Sequence, residues 1–313
     1  MMVNEGGRRL TIEAIEREAR NIVALRLVDP AGGELPPWEP GAHIDVQLIT
    51  RHLRQYSLCG DPGDTRRYRV AVLKERLSRG ASEYVHSYLR EGKQVRVWEP
   101  RNHFRLEAAE RYVFVAGGIG ITPILPMVKQ AQRTGVPWRL IYTVRTPEDA
   151  AFRDELARLG GGVRLHASDE RGLLDLRAAL GAPREGTGVY CCGPSGLITA
   201  LEQAMAGWPA ASLHTERFAP VARSVRPDEP FTALCARSGI RVEVPAGTSL
   251  LDALRRNRVP APGSCLRGVC GACSVGVLDG VPEHRDSLLP EGTTDRMHSC
   301  VSRAWTPEIT LDL

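Results

Sequence analysis

The sequence contains no apolar run that approaches the roughly 18 residues needed to span a bilayer. Its first ten residues, MMVNEGGRRL, also lack the apolar core of a secretory signal. Aromatic residues make up only 5% of the chain, but hydrophobic residues are 42% and charged residues 25%, which is the balance of a folded globular protein. We therefore expect a globular protein that is cytoplasmic and has no membrane partner.

An excess of charge of one sign is also absent. The formal net charge is +4 in 313 residues, and arginines alternate with acidic residues along the chain. Nucleic-acid binders concentrate basic residues on one stretch or one face. The sequence therefore predicts no nucleic-acid partner.

The length allows two or three domains of ordinary size. Residues 8–105 contain short β-rich runs separated by Pro, Gly and Asp turns, which is typical of a small antiparallel barrel. In residues 106–218 strands alternate with helices, which predicts a doubly wound parallel sheet. Residues 219–230 contain several prolines and no apolar periodicity, as in a linker, and residues 231–313 form a compact α+β module.

Four of the eight cysteines form a motif that indicates a metal site. Cys265, Cys270 and Cys273 lie in SCLRGVCGAC, and Cys300 follows later, which is the plant-type spacing for a 2Fe-2S cluster. Zinc also accepts four thiolates, but its sites usually contain two C-x2-C pairs, and here only one pair has that spacing. The motif therefore predicts a 2Fe-2S cluster. The remaining cysteines, Cys59, Cys191, Cys192 and Cys235, show no grouping and are expected to be buried as small apolar residues.

Two glycine-containing turns indicate a dinucleotide site. In VFVAGGIGITPILP (113–126) a strand passes through three glycines into a helix that starts at Thr122. Glycine lets the backbone approach a pyrophosphate, and the helix N-terminus favours an anion. YCCGPSGL (190–197) ends another strand in the same way, and ligands of such sheets bind at the carboxyl ends of the strands. Tight strand-to-helix turns need glycine without any ligand, so a purely structural role stays open here.

The barrel region contains a candidate phosphate pocket. RQYSL (54–58) and SRGAS (78–82) contribute two guanidinium groups, a hydroxyl and an unobstructed glycine backbone, and Tyr56 offers a flat face for an aromatic ring. Taken alone, these are also ordinary residues of a barrel and a helix cap.

Taken in order, RQYSL, SRGAS, PRNHF, AGGIGITP, YCCGP, HTERF and the cysteine motif resemble the phthalate dioxygenase reductase family, over nearly the whole chain after residue 8. The resemblance implies a multidomain α+β protein. Its parts would be an antiparallel β-barrel that binds FMN rather than FAD, a doubly wound NADH domain of the ferredoxin-NADP reductase type, and a C-terminal β-grasp ferredoxin domain.

The resemblance also implies the roles of individual residues. No acid, base or nucleophile is expected to be essential. Arg145, which follows the second strand of the parallel sheet, leaves the choice between NADH and NADPH open, because an arginine there can accept a 2′-phosphate. The implied cofactor contacts are Arg54, Tyr56, Ser57 and Leu58 for the flavin, Arg79, Gly80, Ala81 and Ser82 for the FMN phosphate, Gly118, Gly120, Thr122, Cys192 and Gly193 for NADH, and Glu216 and Phe218 beside the flavin.

The expected function is that of an NADH-dependent reductase, which moves a hydride onto FMN and single electrons through the 2Fe-2S cluster to a Rieske-type oxygenase component. A plant-type cluster at about −400 mV lies well below Rieske centres, so this electron flow would be downhill. A di-iron hydroxylase, a cytochrome or a separate ferredoxin could also be the acceptor, and a non-enzymatic iron-sulfur redox sensor is a further candidate function. The sequence does not specify the oxygenase's substrate, the oligomeric state or the domain motions.

Overall fold

The computed structural model describes residues 7–48, 53–75, 80–209, 211–221, 226–290 and 292–313. Arg79 and part of the predicted 219–230 linker lie outside these ranges. The chain divides into two units, with the boundary between Arg217 and Phe218. Across the described ranges, no helix combines the length and apolar character needed to cross a membrane.

The N-terminal part of the first unit is an antiparallel barrel. Its six strands are ordered β4-β3-β6-β1-β2-β5, and every neighbouring pair is antiparallel. Leu58, directly after β4, bridges Val70 of β5, so the two edges of the sheet meet and the barrel closes. The elements are β1 (Arg8–Ala19), β2 (Ile22–Val28), β3 (His43–Gln47), β4 (Leu53–Ser57), β5 (Arg67–Leu73), α1 (Ala81–Ser87) and β6 (Gln94–Val97).

Inward-facing residues alternate along these strands, as a two-residue period requires. Leu10 and Ile12 of β1 and Leu25 and Leu27 of β2 are at most 2% exposed and share one apolar core. The predicted antiparallel barrel is confirmed.

The remainder of the first unit is a five-stranded parallel sheet ordered β11-β10-β7-β8-β9. Strand order reverses between β7 and β10, and ligands of such sheets bind outside the carboxyl ends at that position. The predicted doubly wound sheet is confirmed, although its first helix starts at Ile121, one residue before the predicted Thr122. The elements are β7 (Arg111–Gly117), a 3₁₀ turn (Gly118–Gly120), α2 (Ile121–Thr134), β8 (Trp138–Val144), a second 3₁₀ turn (Pro147–Asp149), α3 (Arg153–Arg158), β9 (Val163–Ala167), α4 (Ser168–Arg171), α5 (Leu176–Leu180), β10 (Thr187–Cys192), α6 (Ser195–Ala204) and β11 (Leu213–Glu216).

The second unit is a mixed sheet ordered β13-β12-β18-β14-β16, accompanied by a two-stranded ribbon of β15 and β17. The central pair β12 and β18 is parallel and the other pairs are antiparallel, which is the β-grasp arrangement that the resemblance implies. Its elements are β12 (Phe231–Cys235), β13 (Ile240–Val244), α7 (Leu250–Arg256), β14 (Ser274–Asp279), β15 (Pro282–Glu283), β16 (Arg296–His298), β17 (Arg303–Ala304) and β18 (Glu308–Leu311).

Helix α7 packs its apolar face onto this sheet. Leu250 and Leu254 are fully buried with Phe231 and Ile309 in one core. Ser249 caps the helix by accepting a hydrogen bond from the Asp252 N–H at 3.1 Å. Capping and packing together fix the helix that precedes the cysteine loop.

A partly buried ion-pair cluster joins the barrel to the parallel sheet within the first unit. The carboxylate of Glu155 on α3 accepts hydrogen bonds from Arg69 of β5 and, at 2.6 Å, from Lys129 of α2. Burial alone would raise the pKa of Glu155, but the hydrogen bonds from Arg69 and Lys129 lower it to about 2. The carboxylate is therefore more stable in the folded state than in the unfolded chain.

Replacing this carboxylate should change acid stability. Because the folded pKa of Glu155 is depressed, its contribution is complete above about pH 5 and declines as the pH falls toward 2. We expect Glu155→Gln to lower the free energy of unfolding by roughly 1–2 kcal/mol at pH 7. Between pH 5 and pH 2 the free energy of unfolding of this variant should fall less steeply than that of the unsubstituted chain. Urea unfolding across this range measures both. Glu13→Gln, which breaks an exposed pair with Arg67, is the control, and equal effects of the two variants would contradict the assignment.

Candidate functional site

The two glycine-containing turns meet at the strand-order reversal. A Cβ on Gly120 would lie 2.1 Å from the carbonyl oxygen of Cys192, so only glycine permits this approach of the two loops. Gly193 lies in the same contact, with its Cβ position 3.0 Å from Gly117. Close packing of the two loops thus requires glycine at position 120, and the predicted contact of Gly120 with NADH stays a prediction.

Gly118 differs from these glycines because it faces open space. Its φ is +52°, and no atom lies within 4 Å of its Cβ position. Thr122 is 2% exposed, and its hydroxyl donates to the Ile119 carbonyl at 2.9 Å. The backbone around Gly118 is therefore the part of this turn that a ligand can reach.

A cavity of about 1090 Å³ opens at these loops. Gly118 and Pro194 line it from the parallel sheet, and Lys74 lines it from the barrel. Arg145, which follows β8, also lines it. The volume and the position at the carboxyl ends of the strands suit a dinucleotide.

Ser57, Cys192 and Glu216 converge beside these loops. Ser57 ends β4, and its hydroxyl hydrogen-bonds with the Glu216 carboxyl. Glu216 ends β11 and lies in register with Cys192 of β10. Burial raises the pKa of Glu216 to about 8 despite the Ser57 hydrogen bond, so the carboxyl is protonated at neutral pH.

The hydrogen bonding of this carboxyl indicates that a further polar group belongs beside it. Oε2 of Glu216 is buried and has no hydrogen-bond partner among the described residues. Buried polar atoms are normally paired, so an unpaired one needs an explanation. The thiol of Cys192 is also fully buried. Its pKa is raised well above the ordinary value, mainly by burial and secondly by the nearby Glu216 carboxylate. The residues fit a flavin or nicotinamide whose polar edge pairs with Glu216.

The predicted flavin-phosphate residues gather at the start of α1. Gly80 precedes the helix with a φ of +99° and nothing within 4 Å of its Cβ position. Ala81 and Ser82 are buried in the first turn, and the Ser82 hydroxyl accepts from the Glu75 N–H at 3.2 Å. The backbone at Gly80 therefore has room for an anion to approach.

The predicted flavin strand is β4. Arg54 donates to the Leu53 carbonyl at 2.9 Å. Tyr56 packs against the barrel core, and burial raises the pKa of its phenol to about 12, so it is uncharged. The Leu58 side chain is fully buried in the core, so only its backbone could meet a flavin. Phe218 is the first residue of the second unit, and its carbonyl accepts from Arg267 at 2.8 Å.

The four motif cysteines form two pairs of sulfurs. A hydrogen bond from the Cys270 thiol lowers the pKa of Cys265 to about 5, and one from Cys300 lowers the pKa of Cys273 to about 7. The pKa values of Cys270 and Cys300 are correspondingly raised by the same contacts. Each pair thus already stabilises one thiolate.

Backbone N–H groups point at these sulfurs. The Arg267 N–H donates to Sγ of Cys265 at 3.3 Å, and the backbone of Gly268 bonds to Cys300. Among the described residues, no three His, Cys, Asp or Glu side chains converge on a single metal ion. Two thiolate pairs with N–H donors fit a binuclear 2Fe-2S cluster, which takes two ligands on each iron, better than a zinc ion.

A buried carboxylate that sequence reasoning missed lies beside the loop. Asp286 is fully buried and accepts the backbone N–H groups of Leu288 and Leu289 at 2.9 and 2.8 Å. His298 Nδ1, two residues before Cys300, lies 3.1 Å from the same carboxylate oxygen, Oδ1. A Cβ on Gly268 would lie 2.9 Å from Cα of Asp286, so this carboxylate segment lies directly beneath the cysteine loop.

Comparison with known proteins identifies the family. A 2Fe-2S iron-sulfur cluster binding domain matches residues 235–304, and an oxidoreductase NAD-binding domain matches residues 114–203. The phenoxybenzoate dioxygenase subunit beta of Ectopseudomonas oleovorans is 42% identical over 97% of both chains. The phthalate dioxygenase reductase of Burkholderia cepacia is 38% identical over 99% of this chain and 98% of that one. The chain belongs to the phthalate dioxygenase reductase family.

Solved structures agree with this assignment. A phthalate dioxygenase reductase structure superposes with a TM-score of 0.74 at 37% identity, covering 99% of this chain and 98% of that one. An intact type IV self-sufficient cytochrome P450 monooxygenase superposes with a TM-score of 0.92 at 42% identity over 98% of this chain. The reductase chain spans about two fifths of that longer protein, 41%.

Membership of the family confirms the predicted multidomain fold, the oxidoreductase class and the cofactor set of FMN, NADH and a 2Fe-2S cluster. The individual contacts between residues and cofactors stay predictions.

Removal of one cluster ligand should abolish cluster binding. We expect Cys273→Ser to lose nearly all iron and acid-labile sulfide, because one thiolate pair is broken. Cys235→Ala removes a buried cysteine of the same unit outside the motif and should keep both. Iron and sulfide assays on the purified chains measure this, and retention of the cluster by Cys273→Ser, or zinc in the unsubstituted chain, would refute the assignment.

The Glu216 carboxyl should make the free energy of unfolding fall as the pH rises, whereas Glu155 makes it rise with pH. Because its pKa is raised from about 4.3 in the unfolded chain to about 8 in the folded chain, stability declines as the pH rises through this window. We expect Glu216→Gln to remove that slope, which amounts to at most ~5 kcal/mol.

Urea unfolding of the full chain between pH 5 and 9 measures this slope. Glu202→Gln is the matched control, because that carboxylate is 44% exposed and pairs with Arg217. If Glu216→Gln keeps the same dependence of unfolding free energy on pH as the unsubstituted chain, then a group other than Glu216 causes it, and the assignment is wrong.

Proposed function

We propose that this chain is the NADH-dependent reductase component of an oxygenase system, which takes a hydride from NADH onto FMN and passes single electrons through its 2Fe-2S cluster to the oxygenase. The observation that carries the proposal is the pairing of Cys265 with Cys270 and of Cys273 with Cys300 under backbone N–H donors. The same chain contains the dinucleotide-sized cavity of the first unit.

The residues available for each cofactor are distinct. The backbone at Gly118 and the cavity around it would receive NADH. Tyr56 and Ser57 on β4, with the backbone at Gly80, would hold FMN, together with Arg54, Ala81 and Ser82. When bound, the flavin takes an electron pair as hydride and releases single electrons, which is what an iron-sulfur cluster accepts.

The protein's own contribution is position and protonation. Ser57 holds the Glu216 carboxyl, and burial keeps a proton on that carboxyl at neutral pH. The Cys192 thiol, in register with Glu216, is fully buried, and burial keeps it uncharged by raising its pKa. In the second unit, Leu251 of α7 packs on Cys273 and Cys300 and covers one side of the cysteine pair. Such preorganisation places reacting groups without an acid or base that must turn over.

We further propose a Rieske centre as the acceptor. A plant-type cluster at about −400 mV supplies electrons downhill to Rieske centres, which lie between about −150 and +300 mV. Relatives named phthalate 4,5-dioxygenase oxygenase reductase subunit and vanillate O-demethylase oxidoreductase support an oxygenase partner in general. The cytoplasm is the proposed location.

A haem oxygenase is the second candidate acceptor. The self-sufficient P450 that is 42% identical over its shared part, and a relative named heme-dependent oxidative N-demethylase beta subunit at 39% identity, favour it over a di-iron hydroxylase or a separate ferredoxin. Reconstitution with purified Rieske and haem oxygenases separates the two candidates, because only a cognate acceptor couples NADH consumption to product.

Anaerobic reduction by NADH tests the proposed function directly. We expect NADH to bleach both the flavin band and the cluster band of the purified chain without any partner, because both cofactors lie on one polypeptide. Stopped-flow absorbance measures this, and heat release of the flavin identifies FMN. A colourless chain, or a coloured one that NADH leaves unchanged, would refute the proposal.

A further inference from the structure

The surface around the cysteine loop of the second unit combines unpaired positive charge with exposed leucines. We call it the cluster face and define it by Arg255, Arg256, Arg258, Leu266 and Leu288. All five residues are exposed.

The three arginines have no ion-pair or side-chain hydrogen-bond partner within the described ranges. Most other described arginines of the unit do: Arg226, Arg237, Arg241, Arg285, Arg296 and Arg303 are in ion pairs. Cations at a helix C-terminus gain less than about 1 kcal/mol from the helix dipole, and Arg258 lies beyond the end of α7. Capping the helix therefore does not account for all three charges.

Arg255 lies next to the cysteine loop. Leu251 packs on Cys273 and Cys300, and Arg255 is four residues later on the same face of α7. A Cβ on Gly263 would lie 3.0 Å from Nη2 of Arg255, two residues before Cys265. The guanidinium group therefore flanks the cysteine loop.

The two leucines lie on the loop and beside it. Leu266 follows Cys265, is 54% exposed and has a φ of +57°, a conformation that costs an L-residue with a side chain roughly 1–2 kcal/mol. Leu288 is 39% exposed, and the preceding Ser287 donates its N–H to the Gly268 carbonyl at 2.9 Å. Glycine would adopt this backbone conformation at less cost, so the conformation itself does not explain a leucine at position 266.

We propose that the cluster face is the docking surface for the electron acceptor, and that the acceptor presents acidic side chains around an apolar patch at its own redox centre. The inference rests on the proposed function and specifies the partner's chemistry. Unpaired arginines gain Coulomb energy only when a negative partner arrives, and such charge steers association at low salt. Exposed leucines supply the small apolar centre of a transient interface.

Two haem proteins of opposite charge serve as probes, acidic cytochrome b5 and basic cytochrome c. The variant Arg255→Gln/Arg258→Gln removes two charges from the cluster face. The control Arg237→Gln/Arg241→Gln removes two charges from exposed ion pairs elsewhere in the unit. Both variants therefore have the same net charge.

We expect NADH-driven reduction of cytochrome b5 at low ionic strength to fall about tenfold in the cluster-face variant and less than about twofold in the control. The difference should shrink as salt is added, because the charges are exposed. Reduction of cytochrome c should not fall. Leu266→Gly should raise the KM for cytochrome b5 and leave kcat largely unchanged.

Four results would overturn the inference. Equal losses in the two double variants, or a rate independent of ionic strength, would show that the cluster face does not steer the acceptor. Slower anaerobic bleaching of the cluster by NADH in the cluster-face variant would assign the face to the chain's own first unit. Self-association that this variant abolishes, seen by sedimentation, would assign it to a second copy.

Failure of the proposed function is distinguishable from these results. If the proposed function is wrong, NADH will not bleach the cluster of the unsubstituted chain, and neither cytochrome will be reduced.

Discussion

The pairing of four cysteine sulfurs under backbone N–H donors is the constraint on which the second unit depends. Cys265 and Cys270 come from one loop, whereas Cys300 must be brought to Cys273 by the sheet. Burial of thiolates is costly unless each negative charge receives hydrogen bonds. Backbone N–H groups of Arg267 and Gly268 supply such hydrogen bonds, and the cysteine segments pack against Leu251 and the Asp286 segment.

The first unit uses burial for the opposite purpose. At the meeting of β4, β10 and β11, Glu216 and Cys192 are kept uncharged by desolvation, and the hydroxyl of Ser57 orients the carboxyl. Uncharged side chains suit a site that accepts a hydride, whereas stabilised thiolates suit a site that binds iron. One chain thus provides two electrostatic environments for two kinds of electron carrier.

Features encoded by local spacing were predictable from the sequence, and features created by tertiary contact were not. The cysteine motif and the strand-helix alternation are local, so both were recognised correctly. Asp286 and His298 meet across 12 residues without any motif. The contact of Gly120 with the Cys192 carbonyl joins two loops that are distant in sequence, so the spacing of the glycines did not indicate it. The proximity of Ser57 to Glu216 likewise depends on how the barrel meets the sheet, and only the family resemblance pointed to these residues.

The central claim is that the paired sulfurs hold one 2Fe-2S cluster that NADH can reduce through the chain itself. Electron paramagnetic resonance of the anaerobic, NADH-reduced full chain tests it most directly. We expect the spectrum of a reduced plant-type cluster, with close to one cluster spin per chain at full reduction. A chain that contains zinc in place of iron, or an iron signal that dithionite produces and NADH does not, would contradict it.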